Sequence, residues 1–202
     1  WLTAQDVNVG YAPVNAMRVN FVGELGWELH HPIEYQNHIF EQVMEAGKEF
    51  GLKPYGIRAM NSLRVEKSYK LVGTELSIEY SPYESGLDRF VHPNKGDFIG
   101  RAALDKWRAK GFSNKLVTME IHGVTDADVL GNNPIYDNGS VVGRATSGDF
   151  GFRLNKSIAL GMVKPELAKV GQKLKIDILG KMHEASIVEE SPYDSENKLL
   201  RA

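Results

Sequence analysis

The chain has 202 residues, of which 42% are hydrophobic and 25% charged, with a net charge of −2 and no cysteine. That balance excludes collagen, coiled coil and intrinsic disorder, and the missing thiols exclude disulfide scaffolds, zinc ribbons, iron–sulfur clusters and thiol nucleophiles. With a sequence pI near 6.3, no basic stripe and no apolar run of about 18 residues, neither nucleic acid nor a membrane is an expected partner.

The opening Trp1-Leu2-Thr3-Ala4-Gln5-Asp6 has no charged n-region or apolar signal core, and the chain is expected to be cut from something longer. Freedom from cysteine favours the cytoplasm. Arg18-Val19-Asn20-Phe21-Val22 alternates, Gly23-Glu24-Leu25-Gly26 supplies turn residues, and Trp27-Glu28-Leu29-His30 continues extended, which predicts a strand, a tight connection and a second strand. Over 33–50 the apolar positions Ile39, Phe40, Val43, Met44, Gly47 and Phe50 recur with helical spacing, and Gly51 follows as a stop. A second helix is predicted from Gly56 to about Tyr69, with Ile57, Met60 and Leu63 inward and Ala59 as a further inward candidate. A short strand is expected over 87–91, then a third helix capped by Asp97, running through Leu104 and Trp107 and closed by Gly111.

After Gly111 the pattern changes. Residues 115–124, 135–136, 140–143, 157–163, 173–179 and 184–189 read as short strands, with Asp137-Asn138-Gly139 as a hairpin turn. Several strands with few helices predict a small antiparallel barrel or sandwich behind an α+β region, with the boundary near residues 111–115.

Spacing alone offers little chemistry. His30, His31 and His38 have no carboxylates at a metal-ligand spacing and read as surface or packing residues, so no metal site is expected. Residues 143–148 lack a phosphate-loop pattern, and 148–151 read as a bend at a barrel rim. The Glu24 and Glu28 carboxylates flank a glycine-hinged turn beside Trp27 and Phe21. A carboxylate next to an aromatic wall suits a flat heterocycle with adjacent N–H donors; a plain hairpin with solvent-facing glutamates explains the same pattern. Asn61 and Arg64 share a helix face, whereas Arg64 and Glu66 do not. The first pair can point into a cleft or form a solvated edge.

Residues 18–28, the 56–67 segment (Gly56-Ile57-Arg58-Ala59-Met60-Asn61-Ser62-Leu63-Arg64-Val65-Glu66-Lys67), Ser81-Pro82-Tyr83-Glu84-Ser85-Gly86-Leu87, 95–104, 142–148 and Pro192-Tyr193-Asp194 resemble, in order, the signatures of the glycine-cleavage T protein superfamily. The helix and the tail after Tyr193 look more like the folate domains of dimethylglycine and sarcosine dehydrogenases. Met60 stands where the glycine-cleavage protein itself commonly has a folate-contacting Arg, which disfavours that branch.

The resemblance implies residues 1–112 as part of a folate-binding α+β domain and 113–202 as the family's C-terminal β-barrel. It also implies tetrahydrofolate as cofactor and one-carbon transfer as chemistry, from a parent acting on a small methylated amine. Glu28 aligns with the carboxylate that grips the pterin edge and Phe21 with a stacking Tyr. Arg64 is either a polar contact in the same cleft or a structural anchor. The family's catalytic Asp belongs to an N-terminal half not found here, so no catalytic residue is assigned and enzymatic activity of the chain alone is left open. FAD is implied only in a parent's oxidase domain. A glycine-cleavage aminomethyltransferase, with a lipoyl carrier as partner, and a non-catalytic folate-binding regulator are the alternatives. The expected compartment is the cytoplasm, or the mitochondrial matrix in a eukaryote.

Overall fold

Strand β1 (Ala4–Val9) turns at Gly10 into β2 (Ala12–Met17), pairing Val7 with Val14, and β3 (Glu28–His30) adds to the other edge of β2 with Met17 opposite Glu28. This computed structural model describes residues 1–124 and 126–202, which divide into two units, Trp1–Met60 with Glu196–Ala202 and Asn61–Ser195.

In the first unit the three-stranded sheet carries helix α1 (Gln36–Gly47), extended by a 3-10 turn at Lys48–Phe50 and stopped at Gly51. Ala12 and Val14 of β2 and Ile39 of α1 are buried together, with Val9 and Tyr35 against them. The predicted helix is therefore present, but Phe40 and Phe50, two of the apolar positions that mark it, are 54% and 82% exposed. Helical spacing tells which residues share a face; it carries no information on how much of that face is covered.

The strand expected over 18–22 is not formed. Beyond Met17 the chain bends through residues 21–25, because the Asn20 Oδ1 accepts the backbone N–H groups of Val22 and Gly23 at 3.0 and 2.7 Å. A side chain that satisfies the local donors competes directly with a strand ladder. The β1–β2 hairpin was legible in the Val7, Val9 and Ala12, Val14 alternation around Gly10-Tyr11, but Gln5, Asp6, Asn8 and Pro13 mask it.

Helix α2 (Ile57–Glu66) runs from one unit into the other. Its buried positions are Ser62, Arg64, Val65 and Glu66, while Ile57 and Ala59, named as inward by the pattern, are exposed. The expected strand over 87–91 is instead a 3-10 turn at Asp88–Phe90, held by Phe90 N–H to Leu87 C=O and Val91 N–H to Asp88 C=O. Helix α3 (Arg101–Lys110) starts after Gly100 with no side-chain cap, so Asp97 is not its N-cap, and it does end at Gly111.

Six strands then close into an antiparallel barrel in the order β4-β7-β6-β5-β8-β9: β4 (Lys115–Ile121), β5 (Pro134–Asp137), β6 (Ser140–Gly151), β7 (Lys156–Val163), β8 (Lys173–Ile178) and β9 (Lys181–Val188). Asn138 and Gly139, at φ +47° and +79°, make the predicted β5–β6 turn. In β8, Leu174, Ile176 and Ile178 face the interior while Lys173 and Lys175 face out, the alternation expected of a barrel wall. Gly161 of β7 sits inside the wall, where a Cβ would lie 2.8 Å from Ile135 Cδ1 and 3.0 Å from Met119 Cε. Both of those side chains are fully buried, each worth about 1.5–3 kcal/mol of transfer free energy.

Residues 148–151 are not a rim bend but the last four residues of the long β6. Gly148 is there because Val129 passes over it, with its carbonyl oxygen 2.6 Å from where a Cβ would be. Among the described residues no helix is long and apolar enough to cross a membrane, and no group of three or more His, Asp or Glu is placed to hold a metal ion.

Candidate functional site

The first unit presents the segment 18–28 as a loop built around Asn20. Besides the two backbone bonds it accepts, its Nδ2 donates to the Glu24 carbonyl, so a single side chain ties the loop's start to its turn. Gly23, buried and at φ +76°, supplies the left-handed residue the turn needs. Phe21 lies half-buried within this loop.

Glu28 is the first residue of β3. Its Oε2 is 3.0 Å from Nε2 of His30, two residues on and therefore on the same strand face, and its side chain is 45% exposed. Each carboxylate oxygen accepts two hydrogen bonds, so this contact leaves acceptor capacity on both. The neighbouring Trp27 is 56% exposed and the Arg18 guanidinium stacks on its indole, 4.7 Å from the ring centre. Arg18 Nη2 donates to the Ala202 carbonyl at 2.7 Å, whereas its Nε is buried with no hydrogen-bond partner among the described residues. Of the histidine cluster, His38 stacks on Tyr11 at 3.7 Å and reaches the Val9 carbonyl, and His31 bonds the Pro32 carbonyl.

Arg64 belongs to the second unit, in a buried polar network. Its Nε and Nη2 donate to Asn61 Oδ1 at 2.9 and 2.8 Å, and Nη1 donates to the Tyr69 carbonyl at 2.9 Å and to Glu75 at 3.4 Å. Asn61 in turn donates to Asp149 of β6 at 2.7 Å, which ties α2 to the barrel. Glu75, fully buried, also accepts from the Leu71 N–H and the Thr74 hydroxyl, both at 2.8 Å, and from the Ser147 hydroxyl. Burial pushes the Glu75 carboxyl up, but the bonds from Ser147, Leu71 and Thr74 outweigh it and hold the group below the ordinary glutamate value. Burial lowers the pKa of Arg64, against the raising influence of Glu75 and Asp149.

A second ion pair, with its carboxylate fully buried, lies two residues further along α2. Glu66 accepts from the backbone N–H groups of Arg153 and Leu154 at 2.8 and 3.1 Å and pairs with the Arg153 guanidinium. Arg153 is covered by the Tyr193 ring at 3.8 Å, while the Tyr193 N–H bonds the Glu66 carbonyl and Lys67 donates to the Asp194 carbonyl. The 192–194 segment thus straps the end of α2.

The structure therefore brings Phe21 and Glu28 into one loop-and-strand segment and places Arg64 in a separate unit, with its guanidinium engaged by protein groups. Sequence reasoning found the Asn61–Arg64 pairing from its three-residue spacing. It missed Asn20, Arg18 and Glu75. The turn chemistry of an Asn two and three residues before backbone donors pointed to the first; nothing in the spacing pointed to the others.

Two family models match this chain, the GCVT N-terminal domain over residues 1–95 and the glycine cleavage T-protein C-terminal barrel domain over residues 114–194. The chain belongs to the glycine cleavage T-protein family. It is 40% identical over 191 residues to mitochondrial dimethylglycine dehydrogenase of Homo sapiens, a match covering 94% of this chain and 22% of that protein. It is 36% identical to mitochondrial sarcosine dehydrogenase of Mus musculus, over 93% of this chain and 21% of that protein. With an aminomethyltransferase of Desulfitobacterium hafniense it shares 37% identity over 85% of this chain and 46% of the relative. The fold is that of the crystallised aminomethyltransferase T of the Bartonella henselae glycine cleavage system, with a TM-score of 0.81 over 90% of this chain and 50% of that one, at 23% identity. The family member described here thus spans about half of its aminomethyltransferase relatives and about a fifth of the dehydrogenases.

Proposed function

We propose that this chain is the folate-binding part of a one-carbon transfer protein of the dimethylglycine or sarcosine dehydrogenase type, with tetrahydrofolate as its cofactor. In this reading residues 1–112 belong to the folate-binding domain and residues 113–202 to the barrel domain. The observation that carries the reading is Glu28: an exposed carboxylate at the head of β3, next in the chain to the exposed Trp27, on a segment whose turn Asn20 fixes. A flat heterocycle bearing neighbouring N–H donors fits that pairing of acceptor and aromatic wall.

Glu28 would hold the pterin edge and Phe21 would contribute stacking area, without the hydroxyl a Tyr would add. His30 keeps the carboxylate oriented through the bond to Oε2. Arg64 takes the anchoring role: its bonds to Asn61, Tyr69 and Glu75 support a structural assignment over a direct ligand contact. Bound tetrahydrofolate supplies the nitrogen that accepts the one-carbon unit; the chain's own contribution is binding, orientation and exclusion of water. No catalytic group is assigned among these residues. The parent's methylated-amine substrate, an adjoining oxidase domain carrying FAD and a mitochondrial location follow from the dehydrogenase names and stand as part of the proposal.

The test is a titration with tetrahydrofolate read by quenching of Trp27 fluorescence, with Trp27→Phe as control. Glu28→Gln should weaken binding by about 1–3 kcal/mol, roughly 5- to 150-fold, through the loss of charge-assisted hydrogen bonds. Unchanged affinity would return Glu28 to the role of a solvated turn residue.

A further inference from the structure

The shortest strand of the barrel depends on its turn. β5 has four residues, is interrupted by a register shift between Ile135 and Tyr136, and pairs with β8 at only two positions, Ile135 with Ile176 and Tyr136 with Lys175. Its other edge is tied to β6 through the two-residue turn Asn138-Gly139, which sets Asp137 opposite Ser140. Both turn residues have positive φ, +47° and +79°, a conformation that Asn-Gly adopts with little strain.

The same dipeptide is chemically self-reactive. The peptide nitrogen that follows an asparagine can attack that residue's own side-chain carbonyl carbon and close a cyclic imide, most readily before glycine, where no Cβ crowds the nitrogen. Two other asparagines precede small residues, and the fold restrains both. Asn15 lies in the central strand β2 with its amide bonded to Asp6 at 2.8 Å. Asn61 lies in α2, accepts twice from Arg64 and donates to Asp149 at 2.7 Å. Asn138 has neither restraint. It is exposed, and its amide makes a bond of 3.2 Å to the neighbouring Asp137. Among the described residues the Gly139 N–H donates to no backbone carbonyl, and a Cβ built on Gly139 would meet nothing within 4 Å, so the space around the attacking nitrogen is open.

We propose that Asn138 is a modification site, at which the folded protein converts its own asparagine to aspartyl and isoaspartyl forms with loss of ammonia. The Gly139 nitrogen gives its proton to water or hydroxide and bonds to the Asn138 Cγ. The Cγ–Nδ2 bond breaks, and that nitrogen takes up a proton and leaves as ammonia. Water then opens the imide. Addition at Cγ leaves an ordinary peptide bond and a carboxylate side chain, which the turn accepts because Asp-Gly suits it as Asn-Gly does. Addition at the main-chain carbonyl carbon routes the chain through Cγ instead and inserts a methylene into the backbone of a two-residue loop. That product cannot hold Asp137 opposite Ser140, so β5, which carries the fully buried Ile135, loses its tie to β6. The site lies wholly within the barrel-containing unit and stands independently of Glu28 and Phe21.

The test is incubation of the whole chain near neutrality and in mild base. Peptide mapping locates each mass gain of about one dalton, and methyl transfer from S-adenosylmethionine by a protein isoaspartyl methyltransferase counts the isoaspartyl form. The expected result is conversion at Asn138 that is roughly tenfold or more faster than at Asn15 or Asn61 and faster in base, with a urea midpoint that falls as the isoaspartyl fraction grows. In the urea-unfolded chain Asn61 should become reactive, because the helix that restrains it is gone. Asn138→Gly keeps a turn able to hold both positive φ angles and has no amide to lose, so its midpoint should stay constant through the incubation. Conversion spread evenly over the asparagines, conversion of Asn138 only after unfolding, or an Asn138→Gly protein that ages as the wild type does would each overturn the proposal.

Discussion

The Arg64–Glu75 pair is the sharpest place to perturb the second unit. Both side chains are at most 3% exposed, and Glu75 Oε2 receives three donors: Arg64 Nη1, the Leu71 N–H and the Thr74 hydroxyl. In Glu75→Gln the amide oxygen can keep those three bonds while its NH2 turns to Ser147, whose hydroxyl switches from donor to acceptor. The shape and the hydrogen-bond count survive, so the loss is the charge opposite a buried guanidinium, about 3 kcal/mol. Arg64→Met alone should cost a similar amount by leaving the carboxylate without its counter-charge. The double variant should cost at least about 1.5 kcal/mol less than the sum, because no unpaired charge remains. Urea unfolding read by Trp107, with Trp1 and Trp27 replaced by Phe, measures all three. Additivity within about 0.5 kcal/mol would refute the coupling. A pH series adds a second check. The Glu75 pKa is lowered in the fold, so its contribution is complete above the ordinary glutamate value and is lost as pH falls through the folded one. The stability gap between wild type and Glu75→Gln should therefore be constant near neutrality and close in acid.

Two further outcomes are expected. Gly148→Ala forces a methyl to within 2.6 Å of the Val129 carbonyl oxygen and should destabilise the barrel by about 1–3 kcal/mol, read as a lowered urea midpoint with unchanged slope; a wild-type midpoint would mean that the Val129 segment yields freely. Asn20→Ala removes the bonds that tie residues 20–24 together and should weaken tetrahydrofolate about tenfold without moving the Trp107 transition. An unaffected affinity would separate the loop's geometry from ligand binding.

Much of the architecture follows from local sequence. Alternation marks β8, Asn138-Gly139 marks the β5–β6 turn, helical spacing marks α1 and α2, and ordered motifs point to the family before any coordinates. Glu28 and Phe21 come from those motifs, and Asn61–Arg64 from a three-residue spacing. These are features of short range, or of residues read one by one, and periodicity encodes them directly.

What the tertiary structure alone decided concerns partners distant along the chain. Arg64 meets Glu75, from a loop, and lies near Asp149, from β6, neither of which its place on α2 announces. The polar inward face of α2 contradicts the apolar face its pattern predicts, because Arg153 and the 192–194 strap satisfy Glu66 and Lys67 where they are buried. The expected strand at 18–22 fails because one Asn side chain competes for its backbone donors, and the expected bend at 148–151 is a strand because Val129 packs over a glycine. A buried charge is stable only where its counter-charge and hydrogen bonds converge in three dimensions, and that convergence has no period for the sequence to display.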